Sequence, residues 1–202
     1  VATFIWAAYQ ENYRHITEDR PIRVAVPVNL RPYFDSITTK NFFVMVSAEF
    51  APQKNEYTFA EILAITKDSL RAQINKEHLE KIFSYNVSNE LMVVARAVPL
   101  LLKNLAMRLV YTQSALANTT TVTNIGNIKV EKVYEPYIQT VHSFLSFSKG
   151  QSLKATITSY QDTLVYTYTS AWQDTAIQRR VFRQIAQDGI DVKIETNGVY
   201  YE

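Results

Sequence analysis

The sequence predicts an α/β fold, a two-layer sandwich in which a mixed β-sheet has helices packed on one face. Three observations predict it. An apolar helical pattern opens the chain, two β-branched runs follow, and a strand-rich stretch precedes a last amphipathic helix. Thr58 and Glu61 have the spacing of a capping box, which marks the start of a helix after the second run. No internal repeat is visible, so a single sheet covered by helices is the expected arrangement.

Composition favours one folded domain spanning residues 1–202. The chain is 47% hydrophobic and 12% aromatic, which is enough for a substantial core. Its net charge is only +2 and the basic residues are scattered, so nucleic acid is not an expected partner. Cysteine is absent, which excludes disulfides and thiolate catalysis and favours a reducing, cytoplasmic compartment. With three separated histidines, a histidine-rich metal site is not expected.

The first half of the chain is expected to contain two helices and two strands. The patterns predict a helix over 2–14, strands over 22–30 and 41–50, and a capped helix over 59–76. Pro27 lacks a backbone donor, so it indicates a sheet edge, a strand end or a bulge. The run over 41–50 starts apolar on both faces, which predicts a central strand.

The second half is expected to be mostly β-structure. A polar segment over 84–90 separates the capped helix from a helical stretch that ends near Ala117. Residues 124–127 are predicted to form a turn. Asp174 caps a final helix that stops at Gly189. Strands are predicted over 119–123, 141–147, 154–160, 164–170 and 192–195, and the third and fourth of these should form an antiparallel hairpin through residues 161–163.

The most apolar run and the start of the chain bear on whether the protein spans a membrane and whether it is part of a longer protein. Residues 91–111 are the most apolar run, but charged residues and a proline interrupt it, so no membrane span is expected. The first helix opens at Val1 without a capping residue, which indicates a chain cut from a longer protein.

None of the three histidines is a convincing catalytic base. His15 begins a His-x-x-x-Asp run, but Arg20 occupies the position of the glycine that such a motif requires. His142 lies in a strand pattern with Ser146 where an aspartate would be needed, and His78 lies at a helix end. With only four glycines and no Gly-x-Ser-x-Gly run, the chain also lacks a phosphate-binding loop and a nucleophile elbow.

Polar residues cluster at the predicted strand ends, at Asn29, Arg31, Asn41, Thr123 and Asn124. If these ends meet at one cleft, hydroxyl and amide groups there can donate hydrogen bonds to a developing oxyanion. Local bonding to the backbone explains such residues as well, and spacing alone favours that explanation.

Six runs, in order along nearly the whole chain, resemble the C-terminal lobe of bacterial alcohol-acetyltransferase-like proteins. These proteins belong to the chloramphenicol-acetyltransferase-like superfamily, which includes peptide-synthetase condensation domains. The runs are VPVNLR (26–31), NFF (41–43), EYTFAEIL (56–63), PLLLKN (99–104), TVTNIG (121–126) and VKIE (192–195).

The resemblance implies one lobe of a pseudodimer, with an active-site channel between the two lobes. Thr123 matches the position of a serine that hydrogen-bonds the tetrahedral oxyanion in this superfamily. Asn124 and Gly126 would shape the turn, and Asn41 and Phe42 would line the channel. The base would lie in the N-terminal lobe, which is not part of this chain. The cosubstrate would be acyl-CoA or an acyl-carrier thioester, with no permanently bound cofactor.

The function implied is the C-terminal half of an acyl-CoA-dependent O- or N-acyltransferase, inactive alone and partnered by the N-terminal lobe of the same protein. An exposed lobe interface would also allow a homodimer. One alternative is a degenerate lobe that acts only in binding or assembly. Another is a self-sufficient homotrimeric acetyltransferase, but the run from His142 to Ser146 does not supply the histidine motif that such enzymes carry late in the chain.

Overall fold

One mixed sheet organises the part of the chain that the computed structural model describes, which is residues 1–13, 21–53, 56–91, 98–148 and 150–197. Its strands are β1 (Ile22–Asn29), β2 (Phe43–Phe50), β3 (Thr120–Asn127), β4 (Leu153–Tyr160) and β5 (Thr163–Ser170). The helices are α1 (Ala2–Ala8, continued by a π-helical turn over Tyr9–Tyr13), α2 (Phe59–Gln73), α3 (Lys76–Leu91), α4 (Leu100–Leu116) and α5 (Ala176–Gln187). The α/β class and the mixed sheet are confirmed.

The strand order is β2-β1-β3-β4-β5, with antiparallel pairs at both edges and parallel pairs in the middle. The ladder between β1 and β3 is short, because it contains only Val24 with Thr120 and Ala25 with Thr121. Beyond Ala25, β1 is paired with β2 alone. Pro27 lies in this stretch, where its missing N–H costs no bond to β3. The local edge that the proline indicated is therefore confirmed.

The main core lies between α1, α2 and α5 and one face of the sheet, here called the helical face. It is built from buried residues that include Phe4, Ile5, Val24, Ile62, Val122, Ala155 and Val181. A second cluster places α3 over β2, through Leu79 with Val44 and Val46. The apolar residues of each strand that point to this side alternate with residues on the opposite side, as the strand period requires.

The capping box of α2 is confirmed. The N–H of Glu61 donates to Thr58 Oγ1 over 3.3 Å, and the N–H of Thr58 donates to Glu61 Oε2 over 2.8 Å. Further along α2, two side chains bond the backbone of β2. The Gln73 amide bonds both the N–H and the carbonyl of Ser47, and the Ser69 hydroxyl accepts from the N–H of Glu49. Side chains of α2 thereby occupy hydrogen-bonding groups of an edge strand.

The prediction that the second strand is central is wrong, because β2 forms the edge of the sheet. Val44 and Val46 are buried, whereas Phe43 and Met45 are 49% and 43% exposed. The strand starts with apolar residues on both faces because one face packs against helices while the apolar residues of the other face are exposed. The prediction that a polar segment over 84–90 separates two helices is wrong as well, since these residues belong to α3.

Three expectations about the second half also change. Residues 124–127 are not a turn but the end of β3, where the register with β4 skips between Asn124 and Gly126. The run over 141–147 is not a paired strand, and the run over 192–195 is not a strand. The hairpin between β4 and β5 is confirmed, with Tyr160 opposite Thr163.

The ends of the helices agree with the patterns to within a few residues. The N-cap of α5 is Thr175 rather than the predicted Asp174, whose carboxylate accepts from the N–H of Ala176 over 2.8 Å. Gly189 adopts φ +84° just after α5. The last residue of the predicted first helix lies outside the described residues. Within the described ranges, no helix has the length and apolar character needed to cross a bilayer.

Candidate functional site

The face of the sheet opposite the helical face, here called the far face, is rich in threonines. Strand alternation places Thr123 of β3 on the far face, because its neighbour Val122 lies in the core. The same alternation places Thr156 of β4 and Thr167 of β5 there, since Ala155 and Tyr168 pack on the other side. The described far face therefore offers hydroxyls where the helical face offers hydrocarbon.

Three of these threonines stand side by side. Thr123 pairs with Thr156 across β3 and β4, and Thr156 pairs with Thr167 across β4 and β5. Neighbouring strands lie about 4.8 Å apart, so the three side chains form a line across the sheet, here called the hydroxyl row. Thr156 and Thr167 are residues that the sequence analysis missed, because their alignment with Thr123 depends on strand register.

The 141–147 segment covers part of this face. The hydroxyls of Thr158, Thr167 and Thr169 donate to the backbone carbonyls of Val141, Ser143 and Leu145. Alternate residues of the segment thus face the sheet, which explains its strand-like pattern without strand pairing.

Two hydroxyls at the row lack hydrogen-bond partners among the described residues. Thr156 is 2% exposed, and its Oγ1 is buried without a partner. Ser143 Oγ is also buried without one, although the carbonyl of the same residue accepts from Thr167. A buried, unsatisfied hydroxyl costs about 1–3 kcal/mol, so each such group requires an explanation. A ligand oxygen that accepts from Thr156 would supply one.

Thr123 is the end of the hydroxyl row on the β3 side. It is half-buried, and it lies just past the point where the β1–β3 ladder ends. Asn124 is exposed and its Oδ1 accepts from the N–H of Gly126 over 2.9 Å. Gly126 has φ +83°, a backbone conformation that side chains other than glycine's disfavour. Asn124 and Gly126 thus shape a β-bulge beside Thr123 rather than a turn.

Asn41 and Phe42 lie at the same end of the sheet, because Asn29 at the end of β1 pairs with Phe43 at the start of β2. Asn41 is exposed. The Phe42 ring packs edge-on against Phe83 of α3, with ring centroids 5.6 Å apart. Strand order places this pair two strands away from Thr123.

Local loop bonding accounts for the other two strand-end residues. Asn29 Oδ1 accepts from the N–H of Arg31 over 3.1 Å. The Arg31 guanidinium donates to the carbonyls of Thr38 and Lys40. For this pair, the ordinary explanation of polar strand ends is sufficient.

The described histidines do not reach the hydroxyl row. His142 is exposed, its Nε2 is 3.1 Å from Thr140 Oγ1, and its ring stacks beside Phe144. Val141 and Ser143 on either side of it are half-buried whereas His142 is exposed, so its side chain lies on the outer side of the segment. His78 is half-buried near the start of α3. His15 lies outside the described residues.

Titratable groups with shifted pKa values lie elsewhere. On the helical face, burial raises the pKa of Tyr166 and raises that of Tyr168 well above its usual range. Within the described ranges, no cluster of three or more histidine, aspartate or glutamate side chains could hold a metal ion. Within the row, Thr123 and Thr156 can donate hydrogen bonds to a ligand oxygen, whereas the Thr167 hydroxyl already donates to the Ser143 carbonyl. None of the three hydroxyls is a base at neutral pH.

Helix α4 presents an apolar surface on all sides. Its large apolar residues Leu100, Leu101, Leu102, Leu105, Met107, Leu109, Val110 and Tyr111 are between 54% and 84% exposed. At 100° per residue these positions surround the helix axis. A helix that is apolar all round is ordinarily buried, so α4 has the composition of a covered element.

The sequence matches no protein-family model, and the search of curated proteins finds no match. Any function assigned to the chain therefore depends on its own residues and their geometry.

Proposed function

We propose that the chain is the C-terminal half of an acyl-CoA-dependent O- or N-acyltransferase, in which it lines the substrate channel and supplies oxyanion-stabilising groups. It does not act alone in this proposal. A histidine-bearing N-terminal lobe of the same protein completes the site, and the thioester donor is acyl-CoA or an acyl-carrier protein.

The observation that carries the proposal is the unpartnered hydroxyl of Thr156 beside Thr123. Acyl transfer passes through a tetrahedral intermediate whose oxygen is negatively charged. Preorganised donors in a site from which water is excluded stabilise that oxygen strongly, because they need no reorganisation during the reaction. A buried donor without a partner in the free chain is suited to this role.

The proposed reaction is a direct transfer. The histidine of the other lobe removes a proton from the acceptor hydroxyl or amine, whose electron pair then attacks the thioester carbonyl carbon. The carbonyl oxygen becomes an oxyanion that accepts hydrogen bonds from Thr123 and Thr156. Collapse of the intermediate breaks the carbon–sulfur bond, and the leaving thiolate takes the proton from the histidine.

The second lobe also gives α4 a role. Contact with another lobe would cover the apolar side chains that α4 exposes, and would close the channel over the far face. The exposed Phe43 and Met45 of β2 would add to the covered surface.

A non-catalytic binding or assembly module is the second candidate, and the exposed apolar helix α4 is the observation that favours it. Such a module would keep the interface and lose the chemistry. The two candidates differ in whether the hydroxyl row affects turnover.

The test is a Thr123→Val substitution in the protein that joins this chain to its histidine-bearing lobe. Removing one oxyanion donor is expected to lower kcat about 10²- to 10³-fold with little change in KM. Thr163→Val is the matched control, because Thr163 is an exposed strand threonine outside the row. An unchanged kcat for Thr123→Val, or robust acetyl-CoA turnover by this chain alone, would contradict the proposal.

A further inference from the structure

The two edges of the sheet differ in what lies beside them. At the β2 edge, the side chains of Ser69 and Gln73 on α2 bond the outward backbone groups of Ser47 and Glu49. β5 forms the opposite edge, and no described strand lies beyond it. An open edge presents a line of backbone donors and acceptors that can pair with another strand.

The β4–β5 hairpin fixes which backbone groups of β5 point outward. Tyr160 and Thr163 face each other across a two-residue turn, where the closing residues form a hydrogen-bonded pair. Just past the other end of β5, the N–H of Ala171 donates to the Ser152 carbonyl over 2.8 Å. Because bonding alternates along an antiparallel pair, the odd-numbered residues of β5 bond β4. The even-numbered residues therefore direct their N–H and carbonyl groups outward, and they are Leu164, Tyr166, Tyr168 and Ser170.

The β5 strand lacks the features that keep natural sheet edges apart. Its sequence, TLVYTYTS (163–170), contains no charged residue and no proline, and its register with β4 has no bulge. The 141–147 segment bonds the side-chain hydroxyls of Thr167 and Thr169 on the far face, so these bonds use none of the outward backbone groups. The edge thus has the properties of a strand that pairs with another chain.

A second copy of β5 fits this edge in antiparallel orientation about a two-fold axis at Thr167. In that register Tyr166 lies opposite Tyr168 of the second copy, and Leu164 lies opposite Ser170. Aromatic pairs and threonine pairs are favourable cross-strand neighbours, and an uncharged strand opposes no like charges when it pairs with itself. The outward residues of the two copies would form about eight hydrogen bonds, which is close to the number in a standard protein interface.

Exposed apolar residues at the two ends of β5 favour the same orientation. Leu164 near the start of the strand is 65% exposed, and Trp172 just past its end is 50% exposed. Antiparallel pairing brings the start of β5 in one copy beside the end of β5 in the other, so each Leu164 comes close to a Trp172. A parallel arrangement would leave the two side chains at opposite ends of the contact.

The covered β2 edge determines that the pairing closes at two copies. Head-to-tail addition of sheets would require β5 of one copy to pair with β2 of the next, but α2 side chains already bond the β2 edge. A two-fold contact uses the β5 edge of both copies. It therefore leaves no open edge among the described strands.

We infer that β5 is a dimerisation edge, through which two copies of the chain join their sheets antiparallel about Thr167. The contact is separate from the apolar helix α4, which the proposed function places against the second lobe. It goes beyond that function and does not depend on it.

The first experiment measures the oligomeric state of the full chain by sedimentation velocity over a range of micromolar concentrations, where we expect a dimer. Leu164→Pro removes an outward N–H that bonds the second copy, and edge strands tolerate proline at such a position. The dissociation constant should rise at least about tenfold, while the circular dichroism spectrum stays unchanged. Leu164→Ala is the matched control, because it loses the same side chain but keeps the N–H, and it should weaken the dimer less.

The second experiment tests the register with introduced cysteines, since the chain has none of its own. Thr167 would face its own copy in a non-hydrogen-bonded pair, with Cα atoms about 4.5 Å apart, which a disulfide can span. Thr167→Cys should therefore give a disulfide-linked dimer on mild oxidation, as seen by non-reducing electrophoresis. Val165→Cys is the control on the same face of β5. Its two copies would lie about 13 Å apart along the strands, so it should stay unlinked.

Four results would overturn the inference. A monomer throughout the micromolar range would exclude the dimer, and a dimer that Leu164→Pro leaves unchanged would assign the contact to another surface, such as α4. Equal linking of the two cysteine variants, or assemblies that grow with concentration in place of a dimer, would exclude the two-fold register. None of these results bears on the oxyanion role of Thr123, which turnover of the joined protein tests separately.

Discussion

On the helical face of the sheet, Val24, Val122 and Ala155 are buried among the side chains of α1, α2 and α5. On the far face, β3 and β4 present Thr123 and Thr156, and the 141–147 segment lies over part of β4 and β5. One face thus excludes water through hydrocarbon, and the other holds hydroxyls that are only partly satisfied. The difference separates the part of the sheet that stabilises the fold from the part that is available for a ligand.

The largest test of this contrast compares two phenylalanines of β2. Phe50 is fully buried on the helical face, in edge-on contact with the Tyr9 and Tyr57 rings. Phe50→Ala should lower the free energy of unfolding by about 3–5 kcal/mol, because it leaves a cavity and loses buried apolar area. Phe43→Ala, on the far face of the same strand, should change it by less than about 1 kcal/mol. Urea denaturation followed by circular dichroism measures both, and similar losses would contradict the division between the faces.

A smaller test compares two buried threonines of β4. The Thr158 hydroxyl donates to the Val141 carbonyl over 3.1 Å, whereas the Thr156 hydroxyl has no partner among the described residues. Thr158→Val should therefore destabilise the chain by about 1 kcal/mol, and Thr156→Val should stabilise it by a similar amount. Urea midpoints of the two variants give the sign directly. Destabilisation by Thr156→Val would mean that its hydroxyl is already satisfied, and would remove the main support for the oxyanion role.

The smallest effect concerns pH, since it is absent near neutrality. Burial raises the pKa of Tyr168, and the neighbouring Tyr166 raises it further. The unfolded state ionises near pH 10, so this contribution to stability is complete below about pH 10 and is lost as the pH rises through the folded pKa. Tyr168→Phe should reduce the alkaline loss, as measured by urea midpoints at pH 7 and about pH 10.5. Tyr137→Phe, at an exposed position, should retain the full loss.

Local signals predicted much of the fold. The Thr58–Glu61 capping box places the start of α2, and the β4–β5 hairpin follows from alternation on either side of a short polar turn. These features depend on residues a few positions apart, so the sequence alone determines them. The failures were of another kind. The edge position of β2 and the unpaired 141–147 segment depend on which strands lie beside them, and the local pattern of each run is the same whether or not a strand pairs there.

The candidate site divides in the same way. The sequence placed Thr123 at the end of a predicted strand, and the resemblance singled it out. Only the tertiary structure aligned it with Thr156 and Thr167, because register across β3, β4 and β5 is set by pairing between distant parts of the chain. Tertiary structure also left the Thr156 hydroxyl buried without a partner among the described residues, since burial depends on which elements pack around it. Local sequence specifies helix caps and hairpins, whereas the placement of a donor for a ligand is decided when strands that lie far apart in sequence are brought together.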